Sequence, residues 1–306
     1  MVSPAVGLLP EQAMAYEAGE ILADWMGVLV DIPKCIGCRR CEAACQEANG
    51  FEVATDEELG DLSVFEEHRR PGPQSYTTVN RFARRPGDAV AEPIFVKANC
   101  LHCNEPACVS ACLVGAFQKL EDGSVVYDAW KCMGCRYCMV ACPFGMTRYE
   151  WRSPTPRVRK CIMCHQKIAD GELTQPACTA ACPTKATIFG ERAALLEEAR
   201  RRIRENPGTY IDHIWGESEL GGTSVLYISD VDLEEAGWPR GLDHAPRPVL
   251  AREVLHTVPY TFVGVAAVMY GIHWSFERRR LVALAEGESE APGEPQSVQE
   301  EREDSK

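Results

Sequence analysis

Hydrophobic residues along the chain fall into three regimes. Before residue 31 the pattern is mixed, with a short helix expected around Glu11–Trp25. From 31 to 190 long periodic runs are few and Gly and Pro are frequent. That stretch predicts loops wrapped around something other than an apolar core. Within it Ser75–Arg84 is rich in β-favouring residues and predicts a strand. Beyond 190 regular patterning returns. Glu191–Arg204 sets Ala194, Leu195, Ala199 and Ile203 near one face and Glu and Arg on the other, which predicts an amphipathic helix. Thr223–Ser229, preceded by the Gly221-Gly222 turn, predicts a buried strand.

Val254–Phe276 is uncharged for 23 residues. As a helix it would extend about 34 Å at ~1.5 Å per residue, enough for a bilayer's hydrocarbon core. Pro259 falls in its first turns, where proline is tolerated. Tyr260, Tyr270 and Trp274 lie toward its ends, as interfacial aromatics do. A buried core helix is the alternative, although most of those are shorter. Arg278, Arg279 and Arg280 follow at once and predict a cytoplasmic C-terminus; Arg247 and Arg252 on the other flank make that signal modest. His256 and His273 are 17 residues apart. That is about 26 Å along a helix, too far for the two to hold one haem. Residues 286–306 carry eight acidic and two basic residues among Gly, Pro, Ser and Gln, which predicts a solvated, disordered tail.

The chain has 306 residues, 45% hydrophobic and 25% charged, with a net charge of −13. The apolar fraction excludes collagen-like and wholly disordered classes. An acidic chain without a basic stripe argues against nucleic acid as a partner. Sixteen cysteines change the picture most, because all of them lie between Cys35 and Cys182. Disulfide-dense scaffolds are short secreted chains that lack a core, and this chain is long and apolar enough to need no such staples. The first basic residue is Lys34, so no signal-peptide n-region is visible. Arg39-Arg40 sits inside a cysteine motif and is no export signal. The readings left open are use in the cytoplasm, export in folded form with a signal-bearing partner, and a misplaced gene start.

The cysteines form four groups of four. They are Cys35-x2-Cys38-x2-Cys41-x3-Cys45; Cys100-x2-Cys103-x4-Cys108-x3-Cys112; Cys132-x2-Cys135-x2-Cys138-x3-Cys142; and Cys161-x2-Cys164-x13-Cys178-x3-Cys182. This is an internal repeat with two regular and two stretched copies. A cubane iron–sulfur cluster offers four iron corners, each wanting one thiolate. Three cysteines on one tight loop can cap three corners, with Gly37 and Gly134 allowing the close approach. The fourth cysteine starts a helix leading away and ligates the other cluster of a pair. Zinc also uses Cys-x2-Cys, but as two pairs with a longer spacer, which groups one and three lack. All four sites therefore predict [4Fe–4S] clusters. Groups two and three are neighbours and predict one ferredoxin-like unit, with groups one and four forming the other around it. The crossed ligand sets are Cys35, Cys38, Cys41 with Cys182 (cluster 1); Cys100, Cys103, Cys108 with Cys142 (cluster 2); Cys132, Cys135, Cys138 with Cys112 (cluster 3); and Cys161, Cys164, Cys178 with Cys45 (cluster 4). Each group already holds four thiolates, so neither His102 nor His165 is needed as a ligand. Lys131, Arg136, Arg148, Arg159, Lys160 and Lys185 lie near ligands in sequence and could tune potentials or dock partners. Solvated surface charge is the plainer reading of each. No nucleophile–base arrangement and no phosphate loop stands out, so no catalytic residue is expected on this chain.

These motifs, CIGCRRCEAAC, CLHCNEPACVSAC, CMGCRYCMVACPF and KCIMCHQK…PACTAACPTKATIFG, with the later GGTSVLYIS, resemble the four-cluster iron–sulfur subunits of membrane-bound respiratory oxidoreductases. The resemblance runs from about Val28 to Arg280 and includes the crossed ligation. Leu113 stands where that family often has proline, a departure that removes no ligand. The resemblance implies an α+β fold of two interleaved ferredoxin-like dicluster units with one C-terminal transmembrane helix. It implies single-electron relay between a catalytic large subunit and an integral membrane quinone- or haem-linked subunit. CRYCMVACPF followed by RYEW is more similar to the iron–sulfur subunit of periplasmic quinone-reducing [NiFe]-hydrogenases. A formate dehydrogenase β-subunit or another molybdopterin-linked subunit is the alternative, and a soluble polyferredoxin a further one. The expected layout is an N-terminal extension (1–27), a four-cluster domain (28–190), a helix and strand extension (191–253), a transmembrane helix (254–276) and an acidic tail (277–306). The implied location is the inner membrane, with a single pass through the lipid bilayer, the clusters on the periplasmic side and the C-terminus in the cytoplasm.

Overall fold

The computed structural model describes residues 25–84, 92–154 and 156–286, with the side chains of 249–256 left aside. The helix expected around Glu11–Trp25 lies outside the described residues apart from Trp25; of the tail expected at 277–306, residues 277–285 are helical instead, and 287–306 lie outside the described residues.

In chain order the elements are β1 (Met26–Asp31), α1 (Arg40–Ala48), α2 (Asp56–Gly60), β2 (Thr78–Phe82), β3 (Ile94–Ala98) and α3 (Ala107–Ser110). There follow β4 (Phe117–Lys119), β5 (Val125–Tyr127), α4 (Tyr137–Ala141), β6 (Arg148–Tyr149), β7 (Val158–Arg159) and α5 (His165–Ala169). The rest are α6 (Ala177–Ala180), β8 (Thr187–Glu191), α7 (Arg192–Glu205), β9 (Val225–Ile228) and α8 (Arg247–Ala285). The chain divides into two compact units, Met1–Leu250 and Ala251–Lys306.

A three-stranded sheet of order β8-β1-β9 anchors the first unit. Strand β1 pairs antiparallel with β8, Met26 opposite Glu191, and parallel with β9, Val28 opposite Val225. Its sequence, MGVLVD, is a continuous apolar run because both faces are covered. Val28, Val30, Val225 and Tyr227 face one core with Ile94, Leu101, Phe144 and Trp215. Leu29, Leu226 and Ile228 face the other, under Leu195 and Ala199 of α7. Each such fully buried aliphatic side chain stabilises by about 1.5–3 kcal/mol. Helix α7 falls within one residue of its sequence prediction at either end, and β9 lies inside the expected Thr223–Ser229 strand.

Three two-stranded hairpins, β2-β3, β4-β5 and β6-β7, hang from this sheet region. They carry the cysteine loops between them. The expected strand at Ser75–Arg84 is realised as β2, five residues long. An apolar core does exist beside the cysteine loops, contrary to the expectation of loops without one. Eight of its thirteen buried residues come from outside 31–190, Val28 and Val30 of β1, Val225 and Tyr227 of β9, and Trp215, Leu220, Leu233 and Ala236, which periodicity within 31–190 could not register.

Helix α8 is a single run of 39 residues that contains Val254–Phe276. The expected membrane-crossing segment is therefore helical. Among the described residues, however, no helix is long and apolar enough to cross a membrane. Pro259, Thr261, Gly264, Gly271, His273 and Ser275 interrupt the apolar residues, so freedom from charge overstated the segment's apolarity.

Candidate metal centres

The four cysteine groups share one local construction. The residue before the second cysteine has positive φ in every group: Gly37 at 70°, His102 at 49°, Gly134 at 76° and Met163 at 56°. This left-handed turn aims backbone N–H groups at sulfur. Met163 N–H donates to Cys161 Sγ at 3.4 Å, and Gly37 N–H to the Cys35 thiol. In groups one and three, Arg39 (57°) and Arg136 (63°) repeat the left-handed conformation just before α1 and α4. In groups two and four, Pro106 and Pro176 stand before α3 and α6. The motif Pro-Ala-Cys thus starts both helices of the stretched groups.

The helices begin earlier than the spacing suggested. The third cysteine of each group, Cys41, Cys108, Cys138 or Cys178, lies in the first turn. The fourth lies within the helix in group one, as Cys45, and just past the helix end in the others, as Cys112, Cys142 and Cys182. In α1 four residues advance about 6 Å along the helix, enough to deliver its two thiolates to two different centres. The fourth cysteines also receive backbone donors from four residues downstream: Ala116 N–H to Cys112 Sγ at 3.1 Å and Met146 N–H to Cys142 Sγ at 3.4 Å.

The cysteines gather across groups. Cys35, Cys38, Cys41 and Cys182 line one cavity, with Val30, Val79, Lys97 and Thr184. Cys45, Cys161, Cys164 and Cys178 line a second, with Tyr76, Thr77 and Met163. Around Cys103, burial and the neighbouring Cys142, Cys100 and Cys108 push the thiol well above its ordinary range. Cys138 is pushed up to about 12 by burial, with Cys112, Cys132 and Cys135 adding to it. Two quartets are also in reach of each other: burial, Cys45, Cys178 and Cys100 raise Cys161. Burial lifts Cys108 to about 12, Cys138 among the neighbours contributing. Burial likewise raises Cys35 to about 11 and Cys45 to about 12. Cys182 is the exception, held below the usual thiol value against its burial by donors from Thr187 and Thr184. A free thiol in most of these places keeps its proton, so iron must displace protons on binding.

Do these residues fit iron–sulfur clusters? Among the described residues no three His, Cys, Asp or Glu converge tightly enough for a single metal ion. Two of the quartets stand instead around cavities, and N–H donors point at sulfurs in all four groups' loops or helix ends, as at Cys35, Cys112, Cys142 and Cys161. His102 adds an independent sign. Its Nδ1 accepts from Val125 N–H at 2.9 Å, which leaves the ring hydrogen on Nε2. Nε2 is buried and has no protein partner. In sequence His102 stands between two of the cysteines, Cys100 and Cys103. The donor set fits.

Comparison with known proteins agrees. Two models, each described as a 4Fe-4S dicluster domain, match residues 34–116 and 91–192. The hydrogenase-2 operon protein HybA of Escherichia coli O157:H7 is 33% identical to this chain, over 81% of this chain and 82% of HybA. The chain belongs to the 4Fe-4S dicluster iron–sulfur subunits. The nitrate-inducible formate dehydrogenase iron–sulfur subunit of Escherichia coli K12 is 30% identical, over 82% of this chain and 76% of that subunit. A Nitratidesulfovibrio vulgaris protein is 43% identical, over 88% of this chain and 71% of its own length. As an iron–sulfur subunit the chain transfers electrons within an oxidoreductase complex and is not its catalytic subunit. Its sixteen cysteines suit four [4Fe–4S] clusters.

The basic residues near the ligands divide. Lys160 is 2% exposed, not solvated; it donates to Val125 O and, at 2.7 Å, to Cys161 O. Arg148 bonds Pro71 O at 2.8 Å and Arg159 pairs with Glu150 at 2.7 Å. Arg136 stacks over Tyr149 and Trp151. Lys131 is half exposed near Asp128, and Lys185 takes a left-handed φ of 52°.

Three supporting residues escaped the sequence reading. Glu42 of the iron–sulfur subunit, 2% exposed between Cys41 and Cys45, accepts two bonds from Arg69 (2.6 and 3.0 Å), one from Arg39 (3.4 Å) and one from Val79 N–H (2.6 Å). Lys119 donates to three carbonyls, those of His102, Cys103 and Gly123. Lys97 is the third. Its signal was present in the sequence as a lone cation inside the apolar strand IFVKA.

Proposed function

We propose that this subunit is the electron relay of a membrane-bound respiratory complex. It passes single electrons between a catalytic subunit, of [NiFe]-hydrogenase type, and a quinone-linked membrane subunit. The clusters supply one-electron redox chemistry when bound. The ligands proposed are Cys35, Cys38, Cys41 and Cys182; Cys45, Cys161, Cys164 and Cys178; Cys100, Cys103, Cys108 and Cys142; and Cys112, Cys132, Cys135 and Cys138. The crossed lining of the two cavities carries this reading. The reach of Cys100 to Cys161 and of Cys138 to Cys108 supports a row in the order 1, 4, 2, 3. At the last site Cys135 is exposed, and so are Trp130, Met133, Tyr137 and Val140, close to it in sequence, and Trp151, which shares the Arg136 side chain with Tyr149. Exposed aromatics of this density suit a protein partner.

A formate dehydrogenase complex is the second reading, favoured by the 30% identity to that subunit. Helix α8 is proposed to seat the chain at the inner membrane, a helix of the membrane subunit covering its small and polar positions. Its exposed Phe262, Val263, Val265, Val268 and Met269 support this. Placement of the clusters on the periplasmic side and of the C-terminus in the cytoplasm belongs to the same proposal. The test is purification of the complex from native membranes after alkaline extraction. Nickel in the co-purifying large subunit is expected; molybdenum or tungsten would select the second reading, and recovery in the alkaline supernatant would overturn the membrane seat.

A further inference from the structure

Lys97 lies on β3 between Val96 and Ala98, and its side chain is 2% exposed. Nζ stands 3.4 Å from Cys178 Sγ, in the second cavity's quartet. The same side chain lines the first cavity with Cys35, Cys38, Cys41 and Cys182. One ammonium therefore stands between two cysteine quartets. Among the described residues no carboxylate pairs with it.

The other buried lysines near the quartets are used differently. Lys160 and Lys119 donate to backbone carbonyls. Those bonds fix loops and place no N–H on a thiolate. The Lys97 backbone is itself held, its carbonyl accepting from buried Tyr227 Oη at 3.0 Å.

We propose that Lys97 is a positioning charge shared by two clusters, raising the reduction potentials of the Cys35/Cys38/Cys41/Cys182 and Cys45/Cys161/Cys164/Cys178 sites together. The inference rests on the ligand sets proposed above. Reduction brings one more negative charge to a site already surrounded by thiolates, and a fixed cation beside the sulfurs stabilises the reduced form. No bond forms or breaks and the ammonium keeps its proton; one electron enters and later leaves. Both centres feel the one cation, and the negative charge gained by either makes the other harder to reduce.

The test is an anaerobic redox titration of the purified complex followed by paramagnetic resonance, with iron counted on the same samples. Lys97→Met keeps the length of the stem and removes the charge. With wild-type iron content, two of the four midpoints should move to more negative potential and two should stay. Lys97→Arg should hold all four near wild type. Four unmoved midpoints in fully loaded Lys97→Met would overturn the proposal, as would equal shifts in Lys97→Arg. If Lys97→Met loses iron, Lys97→Gln and Lys97→Arg are compared: lower midpoints in Gln alone support the proposal, and equal midpoints overturn it. Iron loss in all three variants assigns Lys97 to packing and also overturns it. Wild-type protein with fewer than four clusters would instead contradict the ligand sets.

Discussion

Groups one and three have identical cysteine spacing, and the backbone honours it. Gly37 and Gly134 differ by 6° in φ (70° and 76°), and Arg39 and Arg136 by the same amount (57° and 63°). Their surroundings have nothing in common. Group one is packed against the β2-β3 hairpin: the Phe95 ring lies over Gly37, Arg39 is bound by buried Glu42, and Lys97 reaches the cavity from behind. Group three is open. Cys135 is exposed, Arg136 rests on Tyr149 and Trp151, and Trp130 is 93% exposed. A short motif specifies how a loop holds iron. Distant residues decide whether that loop is insulated or offered to a partner.

The largest effects are expected at the ligands. Cys41→Ser and Cys138→Ser should each cost one cluster, taking iron from about sixteen to about twelve atoms per chain. The crossed sets make a sharper demand. Cys45→Ser should abolish the same paramagnetic signal as Cys161→Ser, and Cys182→Ser the same one as Cys35→Ser. Signals lost in sequence order, Cys45 with Cys35, would refute the crossing.

The arginines come next. Glu42→Ala leaves Arg39 and Arg69 without their buried carboxylate and should cost about 3–5 kcal/mol. Arg136→Ala removes an exposed cation–π contact and should cost about 0.5–1 kcal/mol. Urea midpoints for release of the visible chromophore, taken anaerobically, measure both; equal losses would erase the contrast between buried and open loops.

Glycine substitutions test the same contrast at smaller scale. A Cβ on Gly37 would come within 2.5 Å of the Phe95 ring; on Gly134 its nearest neighbour is Tyr149 Oη at 3.3 Å. Both alanines meet the left-handed penalty of about 1–2 kcal/mol. Gly37→Ala should cost more because the packed ring must also move, and thermal release of the clusters reads the difference. Smallest in stability are Trp130→Ala and Trp151→Ala, expected within about 0.5 kcal/mol of wild type. Their effect should appear in assembly, as weaker retention of a partner subunit in pull-down from native membranes. Undiminished retention in the double variant would remove this face from the docking account.

The cysteine groups, helix α7 and strand β9 were legible because each is written locally, as a spacing or a period. The left-handed turn at His102 and Met163 was hidden because neither residue advertises it as glycine does; only alignment of the four groups exposes the shared position. Glu42 looked like a helix-surface charge, and its partners Arg69 and Val79 lie 27 and 37 residues away. The apolar core was missed because β1 and β9, adjacent in the sheet, are almost two hundred residues apart. Helix α8 shows the converse: absence of charge was read as apolarity, although Pro, Gly, Thr, His and Ser interrupt the run.

Four clusters held by sixteen thiolates would make this chain an electron relay. Native mass spectrometry of the anaerobically purified chain, with iron and acid-labile sulfide measured on the same sample, tests it most directly. The predicted result is one species carrying four Fe4S4 units, about sixteen iron and sixteen sulfide per chain. A species carrying zinc without sulfide, or one with only two Fe4S4 units at full occupancy, would contradict it.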